Sequence, residues 1–157
     1  MTKMLIALDD SPNAMQAVEY VARHFGRSGD VEVSLVHVLP NLPAIFWDEG
    51  HILSDGEKQD RKKVVDKWLE AQKAKIEPLF RKAMAVLTAK GMPSAAVRTK
   101  FVSDSTDVAD SILEEARDSS CQAIVVGRSH HSPKHVVGTV TGRVVTQGAG
   151  VVVTIVD

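Results

Sequence analysis

The fold is decided by the segment CQAIVVG (121–127), RSHHSPKHVV (128–137), GTVTGRVVTQGAG (138–150) and VVVTIVD (151–157). Two short runs rich in β-branched residues enclose a loop bounded by glycines and a brief amphipathic stretch. Such a segment forms a strand, a loop, a short helix and a strand. A helical crossover between two neighbouring strands requires that they be parallel.

The loop within this segment is predicted to hold phosphate. Gly127 closes the first strand, and Gly138 and Thr139 open the helix. Ligands of parallel sheets bind beyond the carboxyl ends of the strands, and the free N–H groups at a helix start attract anions.

Length and composition indicate one ordinary globular domain, residues 1–157. The chain is 44% apolar and 25% charged with a net charge of −1, which gives no indication of nucleic acid binding. The single cysteine, Cys121, excludes an internal disulfide framework. No secretory signal or membrane-length apolar run is found, so a cytoplasmic protein is expected.

The rest of the chain alternates predicted strands and helices. Four helices with five strands predict a doubly wound α/β domain with right-handed crossovers. The third strand is the least apolar and is placed near the sheet edge. A loop is expected over Asn41–Gly56, and Pro78 is expected to kink one long helix rather than separate two. The remaining predicted elements are strands at Met4–Leu8, Val31–Val38 and Ala95–Val102, and helices from Ser11 (as N-cap) to Phe25, from Lys58 to Lys90, and from an N-cap at Asp104 or Ser105.

Polar and glycine residues follow three of these strands. Asp9 and Asp10 follow the first strand, His37 to Leu39 end the second, and Gly127 to Thr141 follow the fourth. In a doubly wound sheet these segments converge beside the topological switch point, so we expect one site there.

These segments resemble the universal stress protein family over the full length of the chain. The opening LIALDDSPNAMQAVEYV, the second strand SLVHV and the closing AIVVG with GTVTGRVV match the corresponding parts of that family. The resemblance implies an open five-stranded parallel sheet of the Rossmann-like, adenine-nucleotide-hydrolase type. It also implies a homodimer joined through the last strand, Val151–Val156.

The resemblance further implies an adenine nucleotide, such as ATP with or without Mg. Asp9 would contact the ribose and adenine end, and the main chain at Val38 would contact adenine. Gly127 and the loop behind it would surround the phosphates, and the helix start would bind the terminal phosphates. The residues implied at the helix start are Gly138, Thr139, Val140 and Thr141. The loop residues predicted at the phosphate are Arg128, Ser129, His130 and Lys134, because Arg128, His130 and Lys134 could hold it by side-chain charge.

The loop departs from the family pattern of glycine, two residues, glycine, nine residues, glycine and Ser or Thr. His130 replaces the middle glycine, and only seven residues separate it from Gly138. The loop is rich in Arg, Lys and His, so its composition fits a basic phosphate site, an exposed polar loop with incidental histidines, or a Zn or Cu site. The alternative to nucleotide binding is therefore a nucleotide-free homodimer with a degraded phosphate loop.

Two further hypotheses concern chemistry. The Asp9–Asp10 pair also resembles a receiver domain with Asp104 as phosphoryl acceptor, but VVVTIVD lacks the lysine expected after the fifth strand. No nucleophile elbow, Walker lysine motif or HExxH motif is present. We therefore do not expect an enzyme, apart from slow ATP hydrolysis.

Overall fold

The computed structural model describes residues 1–43, 53–103, 107–128 and 139–157. Within these ranges the chain forms an open sheet of five parallel strands in the order β3-β2-β1-β4-β5. The elements in chain order are β1 (Thr2–Ala7), α1 (Pro12–Phe25), β2 (Val31–Val38), α2 (Asp55–Ala89), a 3-10 turn (Ser94–Ala96), β3 (Val97–Val102), α3 (Val108–Asp118), β4 (Ala123–Gly127), α4 (Thr139–Gln147) and β5 (Val152–Val156).

Helices cover both faces of the sheet, which confirms the doubly wound fold. One core lies between the sheet and helices α1 and α2, and its members include Ile6, Val18 and Leu87. The other core lies between the opposite face and helices α3 and α4, where Leu5 and Ile124 are fully buried. Alternate side chains of a strand point to opposite faces, so a strand buried on both faces must be continuously apolar.

The strand order places the switch point between β1 and β4. From β1 the chain extends the sheet through β2 to β3, and it then returns to add β4 and β5 on the other side. The third strand lies at one edge, as its composition predicts. None of the helices in the described part of the chain is long and apolar enough to cross a membrane.

Helix α2 begins at Asp55, so the predicted start at Lys58 and the predicted loop end at Gly56 are wrong. Ser54 and Glu57 form a capping box: Glu57 N–H donates to Ser54 Oγ at 3.3 Å, and Ser54 N–H donates to Glu57 Oε2 at 2.7 Å. The Ser-x-x-Glu spacing is itself a helix-start signal. As expected, one helix continues through Pro78. Residues 44–52 of the predicted loop lie outside the described residues.

The capping box predicts that the start of α2 depends on pH. The hydrogen bond from the Ser54 backbone, and then that with its side chain, lower the pKa of the Glu57 carboxyl. Because the folded-state pKa is lowered, the ionised carboxyl stabilises the helix start at pH values above the ordinary carboxyl pKa of about 4.3. This stabilisation is lost as the pH falls through the folded-state pKa. The amide NMR signals of Glu57 and Lys58 should therefore move on acidification. In Glu57→Gln, which cannot titrate, the same signals should stay in place; equal movement in both proteins would contradict the capping box.

Three other predicted element starts are corrected. Strand β3 begins at Val97 rather than Ala95, because Ser94–Ala96 form a 3-10 turn. Helix α3 is capped by Asp107, later than the predicted Asp104 or Ser105, which lie outside the described residues. Strand β1 is Thr2–Ala7 rather than Met4–Leu8.

Candidate functional site

A cleft of about 240 Å³ opens at the carboxyl ends of the strands. Its lining comes from the ends of β1, β2 and β4, from the first turns of α1 and α4, and from the first two turns of α3. Cleft residues thus come from both sides of the switch point, where ligands of such sheets bind. The described lining residues are Ala7, Leu8, Asp9, Ser11, Ala14, Val36, His37, Val38, Val108, Ile112, Val126, Gly127, Val140 and Thr141.

Six residues of the segments predicted from the sequence meet in this cleft: Asp9, His37, Val38, Gly127, Val140 and Thr141. They come from four separate parts of the chain and are brought together by the parallel topology. Helix α4 begins at the predicted Thr139, so its first N–H groups lie next to the cleft. The structure therefore brings these predicted strand-end residues together within the described part of the chain.

The other predicted residues either do not line the cleft or lie outside the described residues. Asp10 is exposed and does not line it. The Arg128 Nε atom lies 2.6 Å from Asp157 Oδ1, so this guanidinium forms an ion pair at the end of β5. Ser129, His130, Lys134 and Gly138 lie outside the described residues. The predicted phosphate contacts of these four residues, and the Zn or Cu hypothesis for the loop histidines, stay predictions.

Asp9 is held in position by the turn that follows it. Its Oδ1 atom accepts a hydrogen bond of 2.9 Å from Ser11 N–H and another from the Ser11 hydroxyl. Ser11 is the N-cap of α1, but its side chain makes no capping hydrogen bond, so the predicted capping role of its hydroxyl is wrong. The hydroxyl instead orients the Asp9 carboxylate at the mouth of the cleft.

Gly127 is required by packing between α1 and β4. A Cβ atom at this position would lie 2.4 Å from the Asn13 carbonyl oxygen and 2.6 Å from the Asn13 carbonyl carbon. The Asn13 side chain, which is 6% exposed, also donates from Nδ2 to the carbonyl oxygen of Arg128. Asn13 was missed from the sequence because a polar residue in a first helical turn is usually solvent exposed. It fixes the main chain at Arg128, directly after β4.

One wall of the cleft is apolar. Val108 and Ile112 contribute from α3, Val126 from β4 and Val140 from α4. The sequence pattern predicts Val108 and Ile112 as core positions of a helix, and it gives no sign that they face a cleft. Val108 is 41% exposed, which indicates an apolar surface available to a ligand.

Asp107 and Arg143 join α3 to α4 beside this wall. Asp107 Oδ1 accepts hydrogen bonds from Ala109 N–H at 2.8 Å and Asp110 N–H at 3.1 Å. Asp107 Oδ2 accepts from Arg143 Nη1. Asp110 Oδ1 lies 3.6 Å from Arg143 Nη2. One carboxylate therefore caps α3 and ties it to α4.

We expect Asp107→Ala to lower the free energy of unfolding by about 1–2 kcal/mol, because it removes the helix cap and the better placed partner of Arg143. Asp110→Ala is the matched control, because it removes only the longer and more exposed contact, and it should cost less than about 1 kcal/mol. Urea denaturation measures both. Equal costs would contradict the larger contribution expected of the cap and the closer ion pair.

Cys121 is a buried free cysteine before β4. Burial, followed by the nearby Glu115 carboxylate, raises the pKa of its thiol. It is therefore a packing residue with little thiolate for reaction near neutral pH.

The sheet order, the switch point and the cleft define an α/β protein with an open cleft at the carboxyl edge of its sheet. The model of the universal stress protein family matches residues 1–156. The chain belongs to the universal stress protein family. This family match replaces the hypothesis that Asp9 and Asp10 belong to a receiver domain. A search of curated proteins finds no match.

Solved structures of this family share the fold. UspA from Lactobacillus plantarum has 18% identity and a TM-score of 0.71, with 99% of this chain and 97% of that chain covered. A family member from Arabidopsis thaliana with AMP bound has 18% identity and a TM-score of 0.64, with 100% and 93% covered. The Archaeoglobus fulgidus protein in complex with dAMP has 18% identity and a TM-score of 0.61, with 100% and 98% covered.

Proposed function

We propose that this chain is a cytoplasmic stress-response protein that binds an adenine nucleotide, ATP or AMP, in the cleft between Asp9 and α4 and signals through its bound state. One observation carries the proposal: Asp9, Val38, Gly127 and the first turn of α4 line a single cleft at the switch point. The relatives bound to AMP and dAMP support the choice of adenine.

The described residues offer a suitable group for each part of a nucleotide. The apolar wall from Val108, Ile112 and Val126 suits a purine ring, which is flat and weakly polar. The Asp9 carboxylate can accept hydrogen bonds from ribose hydroxyls. The N-terminus of α4 supplies N–H groups and a positive dipole end for phosphate.

The main chain of Val38 is available to an adenine edge. Leu8 N–H donates to Val36 O at 2.8 Å, so the peptide groups of Val36 face β1. Peptide groups two residues apart on a strand face the same side, so those of Val38 also face the β1 side. Strand β1 has already ended at Ala7. A base in the cleft could therefore be read by backbone hydrogen bonds.

Calorimetric titration tests this proposal. We expect ATP and AMP to bind at one site with saturable heat, and GMP to bind at least about tenfold more weakly because its base presents different hydrogen-bonding groups. Repeating the ATP titration with Mg tests whether the metal accompanies the nucleotide. No binding of ATP or AMP at millimolar concentration would overturn the proposal and favour a nucleotide-free interaction protein.

We further propose that the nucleotide acts as a bound signal rather than a substrate. Among the described cleft residues, the titratable side chains are Asp9 and His37. Asp9 Oδ1 is engaged by Ser11, and His37 Nδ1 by a backbone carbonyl. Incubation of ATP and Mg with the protein should therefore release phosphate more slowly than one turnover per minute, on the order of 10⁻² s⁻¹ or less, far below the typical enzyme range.

The last strand supports a homodimer through Val151–Val156. β5 is at one end of the sheet, it is apolar, and Val152 is 64% exposed. Val152 N–H donates into the sheet, to Gln122 O at 2.9 Å. The N–H groups of the alternate residues Val153 and Ile155 therefore face the open edge, where a second copy could pair with them.

We expect light scattering to give a dimer mass at micromolar concentration. Val153→Pro removes an edge-facing donor and should shift the protein to monomer, while the far-ultraviolet circular dichroism stays unchanged because the bonds to β4 remain. A wild-type monomer, or an unchanged dimer in the variant, would contradict pairing through this edge. A dimer that binds no nucleotide would support the nucleotide-free alternative.

A further inference from the structure

His37 makes a hydrogen bond that fixes the end of β1. Its Nδ1 atom lies 2.6 Å from the carbonyl oxygen of Leu8. A carbonyl oxygen can only accept, so Nδ1 carries the hydrogen and donates it. The imidazole also packs edge to face on Phe101, with ring centroids 6.2 Å apart and planes at 86°. The ring is thus held from two sides.

The Leu8 carbonyl belongs to the peptide group that leads into Asp9. In a trans peptide the C=O and N–H groups point in opposite directions. Because His37 holds Leu8 O on the side of β2, Asp9 N–H points away from β2, to the side on which β4 lies. Among the described residues, Asp9 N–H has no hydrogen-bond partner. Asp9 lines the cleft, and His37 therefore orients the peptide group that carries this donor.

We propose that His37 is a positioning residue for nucleotide binding, acting through the Leu8–Asp9 peptide by means of its Nδ1–H donor. This inference rests on the proposed function. The requirement is for a donor at the Nδ1 position and not for the imidazole ring or its charge. An asparagine amide places its nitrogen near the position of Nδ1, whereas a glutamine amide reaches the position of Nε2 and a phenylalanine supplies no donor.

Calorimetric titration with AMP of the wild type, His37→Asn, His37→Gln and His37→Phe tests this. The Asn variant should bind within about threefold of the wild type, and the Gln and Phe variants about tenfold more weakly. Circular dichroism identifies any variant that does not fold; if Phe is too large for the site, the comparison of Asn with Gln decides.

Failure of the proposed function and failure of the positioning role of His37 give different results. Absence of AMP binding by the wild type would overturn the proposed function and this inference with it. Wild-type binding with equal affinities in all three variants, or equal losses in Asn and Gln, would overturn the positioning role alone. If His37 acted only by packing, the loss of AMP affinity in each variant would follow its loss of thermal stability. The positioning role predicts instead that only the Asn variant keeps an affinity close to that of the wild type.

Discussion

Gly127→Ala is expected to destabilise the protein by about 3 kcal/mol and to lower its melting temperature by roughly 6–12 °C. The added Cβ would lie 2.4 Å from the Asn13 carbonyl oxygen and 3.1 Å from Ala14 N. Both contacts are with the backbone of the first turn of α1, so no flexible side chain can move aside. Helix α1 must shift, and with it the Asn13 hydrogen bond to Arg128 O. Thermal unfolding followed by circular dichroism measures the effect.

Gly56→Ala is the matched control for this change. Gly56 lies in the first turn of α2, and a Cβ there would meet nothing within 4 Å. Alanine should be neutral or should stabilise the protein by up to about 1 kcal/mol, because it lowers the entropy of the unfolded chain. If Gly127→Ala is as well tolerated as Gly56→Ala, the close approach of α1 to β4 is wrong.

Asp9→Asn is expected to weaken AMP binding by about tenfold to a hundredfold. A hydrogen bond from a ribose hydroxyl to a carboxylate contributes about 1.5–3 kcal/mol, and the amide replaces it with a neutral acceptor. Asparagine keeps an oxygen that can accept from Ser11 N–H, so the turn itself should be preserved. Calorimetry gives the affinity, and thermal unfolding without ligand shows whether stability is unchanged.

Asp10→Asn makes the same charge change one position away, at an exposed side chain outside the cleft. It should alter the affinity by less than about threefold, because only long-range, screened attraction is removed. Similar losses in the two variants would indicate that net charge, rather than contact with Asp9, controls binding.

The parallel strands and the helix positions could be predicted because their pattern is local. Runs such as AIVVG and VVTIV specify strands, and Gly138-Thr139 specifies the start of α4 at Thr139. The start of α2 could also have been found, since Ser54 and Glu57 have the spacing of a capping box. The cap of α3 is harder to predict, because SDSTD offers several equivalent capping residues before Val108.

Contacts between distant parts of the chain could not be predicted in the same way. Asn13 and the Arg128 carbonyl are 115 positions apart, and the clash that requires Gly127 exists only once α1 packs on β4. The bond from His37 to Leu8 O likewise depends on the pairing of β1 with β2. Convergence of Asp9, Val38 and Gly127 could be predicted from topology alone, whereas the apolar wall formed by α3 required the packed structure.

The most direct test of adenine-nucleotide binding at the switch point is to follow backbone amide NMR signals during titration with AMP. Saturable shifts should be concentrated at four segments of the chain: residues 8–11, residues 37–39, residues 127–128 and residues 139–141. These segments contain the strand ends and the helix start that line the cleft. No saturable change at millimolar AMP, or changes confined to other parts of the sheet, would contradict the account.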